Sequence, residues 1–394
     1  MEVPGLKITN VSTTALSLPI PTSKSTSRKG SKREWGRLSR ITPHRPSPVL
    51  EYVIVRIDTD EGVGGIGEAV SDIGFFGETL EEVKIAIERY LGPRLIGLDP
   101  FDREQILYQL DFRGNSCARS GIDLAVHDLI GKVLDVPVSH ILGGRCRDRI
   151  EVALEIGGDA EELAAMCEKY MELGVRAFKP KIGGYPDEDA HRLKAVRETV
   201  GKDIKIRADA NQGYTTKEAI RLCRLAEKYD VGLELLEQPV GYLDLHGMAE
   251  VRGAVDVLIE ADESCYSIQD AMNIIKLGAA DVINIKIEKV GGLYQAKKLA
   301  AVAEAAGLQC VIGTAFGLGN TIAAKLHLAA STMIVKDAVE FTEIRLHENL
   351  LADHQSGEFG LPLVDGSIGV PTGPGLGVTL DEKKVGRYAT NIVN

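Results

Sequence analysis

The six cysteines of this chain (Cys117, Cys146, Cys167, Cys223, Cys265, Cys310) include no Cys-x-x-Cys pair. Thiols scattered this way exclude a disulfide frame or a zinc ribbon and point to a reduced, cytoplasmic setting. No apolar run approaches the ~18 residues of a spanning helix. Residues 1–10 lack the basic start and apolar stretch of a signal peptide. Positive charge is also short: 46 Lys plus Arg stand against 57 Asp plus Glu, a formal net charge of −11. That balance argues against a nucleic-acid partner or a membrane surface, both of which select basic proteins. Low-complexity linkers are missing too, so the parts of the chain are expected to form one compact unit.

What is present fits a large soluble globular protein. The 394 residues suffice for two or three average domains, or for one large barrel plus a smaller domain. Hydrophobic residues make up 44% and charged residues 26%, both ordinary values. The 42 glycines exceed the usual share and suit a fold with many tight turns. One segment departs from the acidic average. Between Lys24 and Arg45 lie eight basic residues and one acid, Glu34, together with the single tryptophan, Trp35.

The pattern changes near residue 150. Before it, Leu6–Leu18 and Leu50–Thr59 read as strands, and Gly62–Gly67 as a turn into a further short strand. Leu80–Leu91, Pro100–Asp111 and Ser120–Val133 have helical spacing. This predicts an α+β domain over residues 1–140. From residue 150 to 345, short apolar runs alternate with helical segments. The runs are Val152–Ile156, Ala177–Lys181, Ile204–Asp209, Leu233–Glu237, Val257–Asp262, Val282–Lys286, Gln309–Gly313 and Ala338–Ile344. Eight such runs in about 200 residues predict a parallel β/α barrel. An open doubly wound sheet is the alternative, but no Gly-x-Gly-x-x-Gly follows the first run. Residues 346–394 are rich in Gly and Pro, break the rhythm, and are expected to pack back on the N-terminal domain.

The strongest signal is where ionisable residues fall. Lys181, Asp209, Glu237, Asp262 and Lys286 close five successive strands at intervals of 28, 28, 25 and 24 residues. Each interval is about one β/α repeat, so all five reach the C-terminal mouth, where such barrels carry their active sites. A single lysine there is usually solvated, and a single acid often caps the next helix; five in register are harder to dismiss. Asp209, Glu237 and Asp262 come from adjacent strands, and three unpaired carboxylates would repel. A hard divalent cation resolves this, and three carboxylates with open positions suit Mg²⁺. Lys181 and Lys286, four strands apart, should face each other across the mouth. Lys179 shares a strand face with Lys181 and should lower its pKa, leaving a neutral amine able to act as a base.

With these residues assembled, the chain resembles the enolase superfamily, in its muconate-lactonizing subgroup. Lys179 and Lys181 match the subgroup's Lys-x-Lys. Asp209 in DAN, Glu237 in EQP and Asp262 in DES match its three Mg²⁺ ligands, with Mn²⁺ as a substitute. Lys286 in NIKIEKVGG matches its second acid/base lysine. The resemblance implies a (β/α)7β barrel, an N-terminal capping domain completed by the tail, and a symmetric homo-oligomer. It implies proton abstraction next to a substrate carboxylate, through an ene-diolate, with loops of the cap closing over the mouth.

On this reading the chain is a Mg²⁺-dependent isomerase of a small carboxylate, nearest to muconate cycloisomerases. A racemase or epimerase of an amino-acid derivative, or a syn-dehydratase, is the alternative on the same scaffold. Dipeptide epimerases carry an Asp-x-Asp after the eighth strand, whereas Phe341-Thr342-Glu343-Ile344-Arg345 stands here. Asn211, Glu343, Phe316 and Trp35 are the candidate substrate-binding residues. The basic segment around Trp35 is expected to attract and cover an anionic substrate. A Schiff-base aldolase and a non-catalytic binding barrel are the readings from other classes.

Overall fold

The structure is a computed structural model that describes residues 5–19, 49–336, 338–341, 348–352 and 361–392. Trp35 and the whole Lys24–Arg45 segment, and likewise Glu343 and Arg345, lie outside the described residues.

Three antiparallel strands, β1 (Ile8–Pro19), β2 (Val49–Thr59) and β3 (Gly64–Ser71), form the first sheet in the order β1-β2-β3. Alternation assigns the faces of β2. Tyr52 and Ile54 join the core shared with the barrel, while Val53, Val55 and Ile57 join a second core within the cap. The helix Ser116–Leu134 lies against β3 and is buried over most of its length. That approach needs glycine: a Cβ at Gly67 would stand 2.0 Å from the carbonyl oxygen of Gly121. The expected helix Leu80–Leu91 is α-helical over Leu80–Ile85 and continues as a π-helical turn over Ala86–Leu91.

The barrel strands are β4 (Arg149–Ile156), β5 (Ala177–Pro180), β6 (Lys205–Asp209), β7 (Leu233–Glu237), β8 (Leu258–Ala261), β9 (Val282–Ile285), β10 (Gln309–Ile312) and β11 (Ala338–Glu340). They pair in parallel from β4 to β10, and β11 pairs with β4. Residues 334–336 run along β10, through Cys310 N–H to Ile334 O and Lys336 N–H to Cys310 O, which closes the ring. Helices alternate with the strands, several opened by capping boxes, as at Asp159/Glu162 and Thr215/Glu218. Gly291-Gly292 closes the short helical turn Ile287–Val290, while the N–H groups of Gly183 and Gly184 both donate to Asp189 Oδ2. At Gly183 (φ +105°) a Cβ would stand 2.3 Å from Ala210 O, just beyond β6.

The tail does more than return to the cap. Its hairpin, β12 (Leu363–Val364) and β13 (Ser367–Gly369), first pairs antiparallel with β4. The helix Glu382–Tyr388 then reaches the cap, where Thr390 N–H donates to Ala15 O and Arg56 pairs with Glu382 at 2.8 Å. Among the described residues, no helix is long and apolar enough to cross a membrane.

Candidate active site

Parallel pairing sets the height of the charged residues. Asp209 lies beside Glu237 in the β6–β7 register, and Lys181 bridges to Asp209 just past the end of β5. Asp262 follows β8 directly, and Lys286 follows β9. Lys181 and Lys286 thus stand four strands apart in a ring of eight.

Each of the three central acids is held by lysine. Lys181 Nζ is 2.6 Å from Asp209 Oδ2 and 3.1 Å from Glu155 Oε1. Lys179 Nζ pairs with Glu237 Oε2, with Glu340 Oε1 at 2.6 Å and with Glu155 Oε1 at 3.2 Å. Lys286 Nζ is 2.6 Å from Asp262 Oδ2, and Lys289 Nζ is 2.6 Å from Asp262 Oδ1. Among the described residues, the acids whose oxygens come within 4.8 Å of one another are Glu237, Glu260 and Glu340, not Asp209, Glu237 and Asp262. Protein donors already reach into that deeper group: Lys179 toward Glu237 and Glu340, and Asn284 Nδ2 toward Glu237 (3.1 Å) and Glu260 (3.0 Å).

The electrostatics correct one expectation. Burial disfavours the charge on Lys181, but Asp209 and Glu155 outweigh both burial and the repulsion of Lys179. Lys181 is therefore held charged, above the usual lysine range, rather than neutral. Lys286 is held up in the same way, chiefly by Asp262 against burial. The acids diverge. Burial and then Asp209 hold Glu237 well above the carboxylate range, despite Lys179. Burial and then Glu340 push Glu260 up to about 8. Burial, Asp262 and Asp209 push Glu263 up to about 7. For Glu155, burial is overcome by Lys181, Lys179 and Lys286, which hold it well below. Glu260 Oε2 and Glu263 Oε2 are buried without a hydrogen-bond partner. A mouth of hard oxygen donors with acids to spare fits a divalent cation.

Of the four candidate substrate-binding residues, two can be placed. Asn211 is buried at φ +40°, its N–H donating to Asp209 Oδ1 and its Nδ2 to Glu263 Oε1. It supports the acids. Phe316 sits at φ +60° on the loop after β10, and its carbonyl accepts the Tyr52 hydroxyl at 2.6 Å, so a cap strand anchors this part of the mouth. Phe75, on the cap loop after β3, lays its ring 4.1 Å from Lys286 Nζ. Glu155, Glu260, Asn284, Lys289 and Glu340 escaped sequence reasoning. The signal for Glu260 and Asn284 was available: each lies two residues before a mouth residue and so shares its strand face. Glu340 is the lone acid of the short strand β11, and Glu155 shares β4 with Arg149 and Glu151, so neither stands out by spacing.

Fold and mouth together define a barrel enzyme that sets lysines against carboxylates. Residues 162–384 match the family described as Enolase C-terminal domain-like, and residues 40–143 match the N-terminal domain of mandelate racemase / muconate lactonizing enzyme. The chain belongs to this family and is an isomerase of the enolase superfamily. It is 40% identical over 291 residues to a hydrophobic dipeptide epimerase of Enterococcus faecalis, covering 71% of this chain and 79% of the relative. It is 32% identical to a chloromuconate cycloisomerase of Cupriavidus pinatubonensis, covering 86% of this chain and 91% of the relative. The solved dipeptide epimerase from E. faecalis V583, complexed with Mg and the dipeptide L-Leu-L-Tyr, superposes with a TM-score of 0.81 at 32% identity. That match covers 95% of this chain and 99% of the other.

Proposed function

We propose that this isomerase moves a proton at the carbon next to a substrate carboxylate, with Lys181 and Lys286 as the two acid/base groups on opposite faces. The carrying observation is that each lysine is hydrogen-bonded at 2.6 Å to one of the two outer acids of the row Asp209, Glu237, Asp262. A base on each face allows removal of a proton from one side and return from the other, which inverts the carbon. Racemisation or epimerisation of an amino-acid derivative or dipeptide is therefore the favoured reaction, and the 40% identical dipeptide epimerase supports it. Lactone formation of the cycloisomerase type needs one proton donor only and is the second reading; the cycloisomerase relative supports that one.

Asp209, Glu237 and Asp262 would hold Mg²⁺, or Mn²⁺ in its place. The bound cation supplies electrostatic stabilisation of the charge that develops on the substrate carboxylate. With Asp209 given over to a cation, Lys181 would lose its strongest partner; Glu155 would still attract it and Lys179 repel it, so its pKa would fall from the raised value. The same release frees Lys286 from Asp262. The Phe75 ring lies against the Lys286 ammonium on the cap side of the mouth.

The test is incubation of the Mg²⁺-loaded protein in D₂O with a panel of N-acylated amino acids, L,L-dipeptides and muconates. Mass spectrometry and chiral chromatography then read deuterium at the α-carbon and its configuration. Deuterium gain with inversion is expected. Turnover of a muconate with no α-exchange in any amino-acid derivative would replace the first reading by the second.

A further inference from the structure

Two lysines grip the same carboxylate, and only one of them has a role in the proposed reaction. Lys286 holds Asp262 Oδ2 with its ammonium against the Phe75 ring. Lys289 holds Oδ1 at 2.6 Å from the other side. Its ammonium also donates to the main-chain oxygens of Asp262 at 2.8 Å and of Asn284 at 2.9 Å. Three acceptors meet three ammonium protons, so the group is fully satisfied. Its side chain is 0% exposed, against 7% for Lys286. The residue sits on the single turn Ile287–Val290, closed by Gly291 at φ +84°, and the Tyr266 ring lies 5.6 Å from its ammonium.

This arrangement separates exchangeable from permanent contacts. Lys286 has one hydrogen-bonded acceptor and can give up Oδ2. Lys289 cannot leave Oδ1 without giving up two main-chain contacts or leaving its own buried charge without the carboxylate. It also ties the end of β8 to the end of β9, the two strand ends that present Asp262 and Lys286.

We infer that Lys289 is a positioning residue for the cation site: it fixes the Asp262 carboxylate, ionised and correctly turned, so that Oδ2 is ready for a divalent cation. This rests on the proposal that Asp262 is a cation ligand. The partners that orient metal ligands typically change affinity by ~10- to 100-fold when lost. Lys286, by contrast, competes with the cation for Oδ2.

The experiment is titration of the intact parent, K289Q, K286Q and D262N with Mn²⁺ alone, read by the loss of free-ion EPR signal, with far-UV circular dichroism to confirm folding. The expected result is a Kd raised at least ~10-fold in K289Q and unchanged or lowered in K286Q. An unchanged or tighter Kd in folded K289Q overturns the inference, as does equal weakening in both lysine variants. Should K289Q not fold, K289R decides. Its longer fork keeps the charge but displaces the carboxylate, so weaker binding is expected and parent-like affinity overturns the proposal. D262N separates the two levels: if it binds Mn²⁺ as the parent does, the ligand assignment itself fails.

Discussion

Lys181 and Asp209 stand 2.6 Å apart across a parallel bridge, and Lys286 and Asp262 repeat the same 2.6 Å contact on the far side of Glu237. The mouth thus has two matched acid–lysine pairs around a central acid. Replacing either lysine by methionine should lower turnover by ~10²- to 10⁴-fold, the usual contribution of a positioned proton-transfer group. Each single variant should keep α-deuterium exchange with one configuration of the substrate and lose it with the other. Equal exchange of both configurations in both variants would remove the two-base mechanism.

Chelation gives a second prediction. EDTA should abolish turnover, and Mg²⁺ or Mn²⁺ should restore it. Because the cation binds only the folded chain, adding it at ~100 times its Kd should stabilise the protein by about 2.7 kcal/mol. A melting temperature that ignores both cations would contradict the proposed ligands.

Lys179 lies among Glu155, Glu237 and Glu340 with no exposed surface. Its removal leaves buried acids without their cation. K179M should cost about 3–5 kcal/mol in urea unfolding, the penalty for breaking a buried pair from one side. Adding E340Q should recover part of that loss. A K179M protein as stable as the parent would show that the deep acids do not depend on this lysine.

His327, on the helix Gly319–Ala330, accepts the Ser139 N–H at Nδ1 (3.3 Å) and contacts Leu376 O through Nε2 (3.1 Å). Both bonds fit the neutral ring, and burial pushes its pKa down from 6.5 to about 4. The unfolded chain takes up the proton first as pH falls. The stability this group contributes is therefore complete above about pH 6.5 and is lost between there and pH 4. At pH 5 the loss is about 2 kcal/mol, and H327Q should flatten that part of the stability profile. An identical slope in the variant would sink the assignment.

Much of the barrel was legible from the chain alone, because alternation of apolar runs and amphipathic helices is a local property. All eight expected runs overlap strands, and the intervals between mouth residues follow from one repeat each. The π-helical turn at Ala86–Leu91 was not legible, since periodicity does not distinguish one helical winding from another. Nor was the hairpin that the tail lays on β4.

The sequence by itself determined which charged residues reach the mouth: Lys181, Asp209, Glu237, Asp262 and Lys286 occupy strand ends because the repeat length puts them there. Only the tertiary structure decided what each one touches. Glu155 and Glu340 lie 185 residues apart in the chain, yet both meet Lys179, because closure of the ring makes β11 and β4 neighbours. The pairing of β5 with its neighbours β4 and β6 likewise sets the charge of Lys181. A sequence reading sees the adjacent Lys179 and expects a lowered pKa, whereas the folded ring supplies Glu155 and Asp209, whose attraction at short range in a buried site prevails.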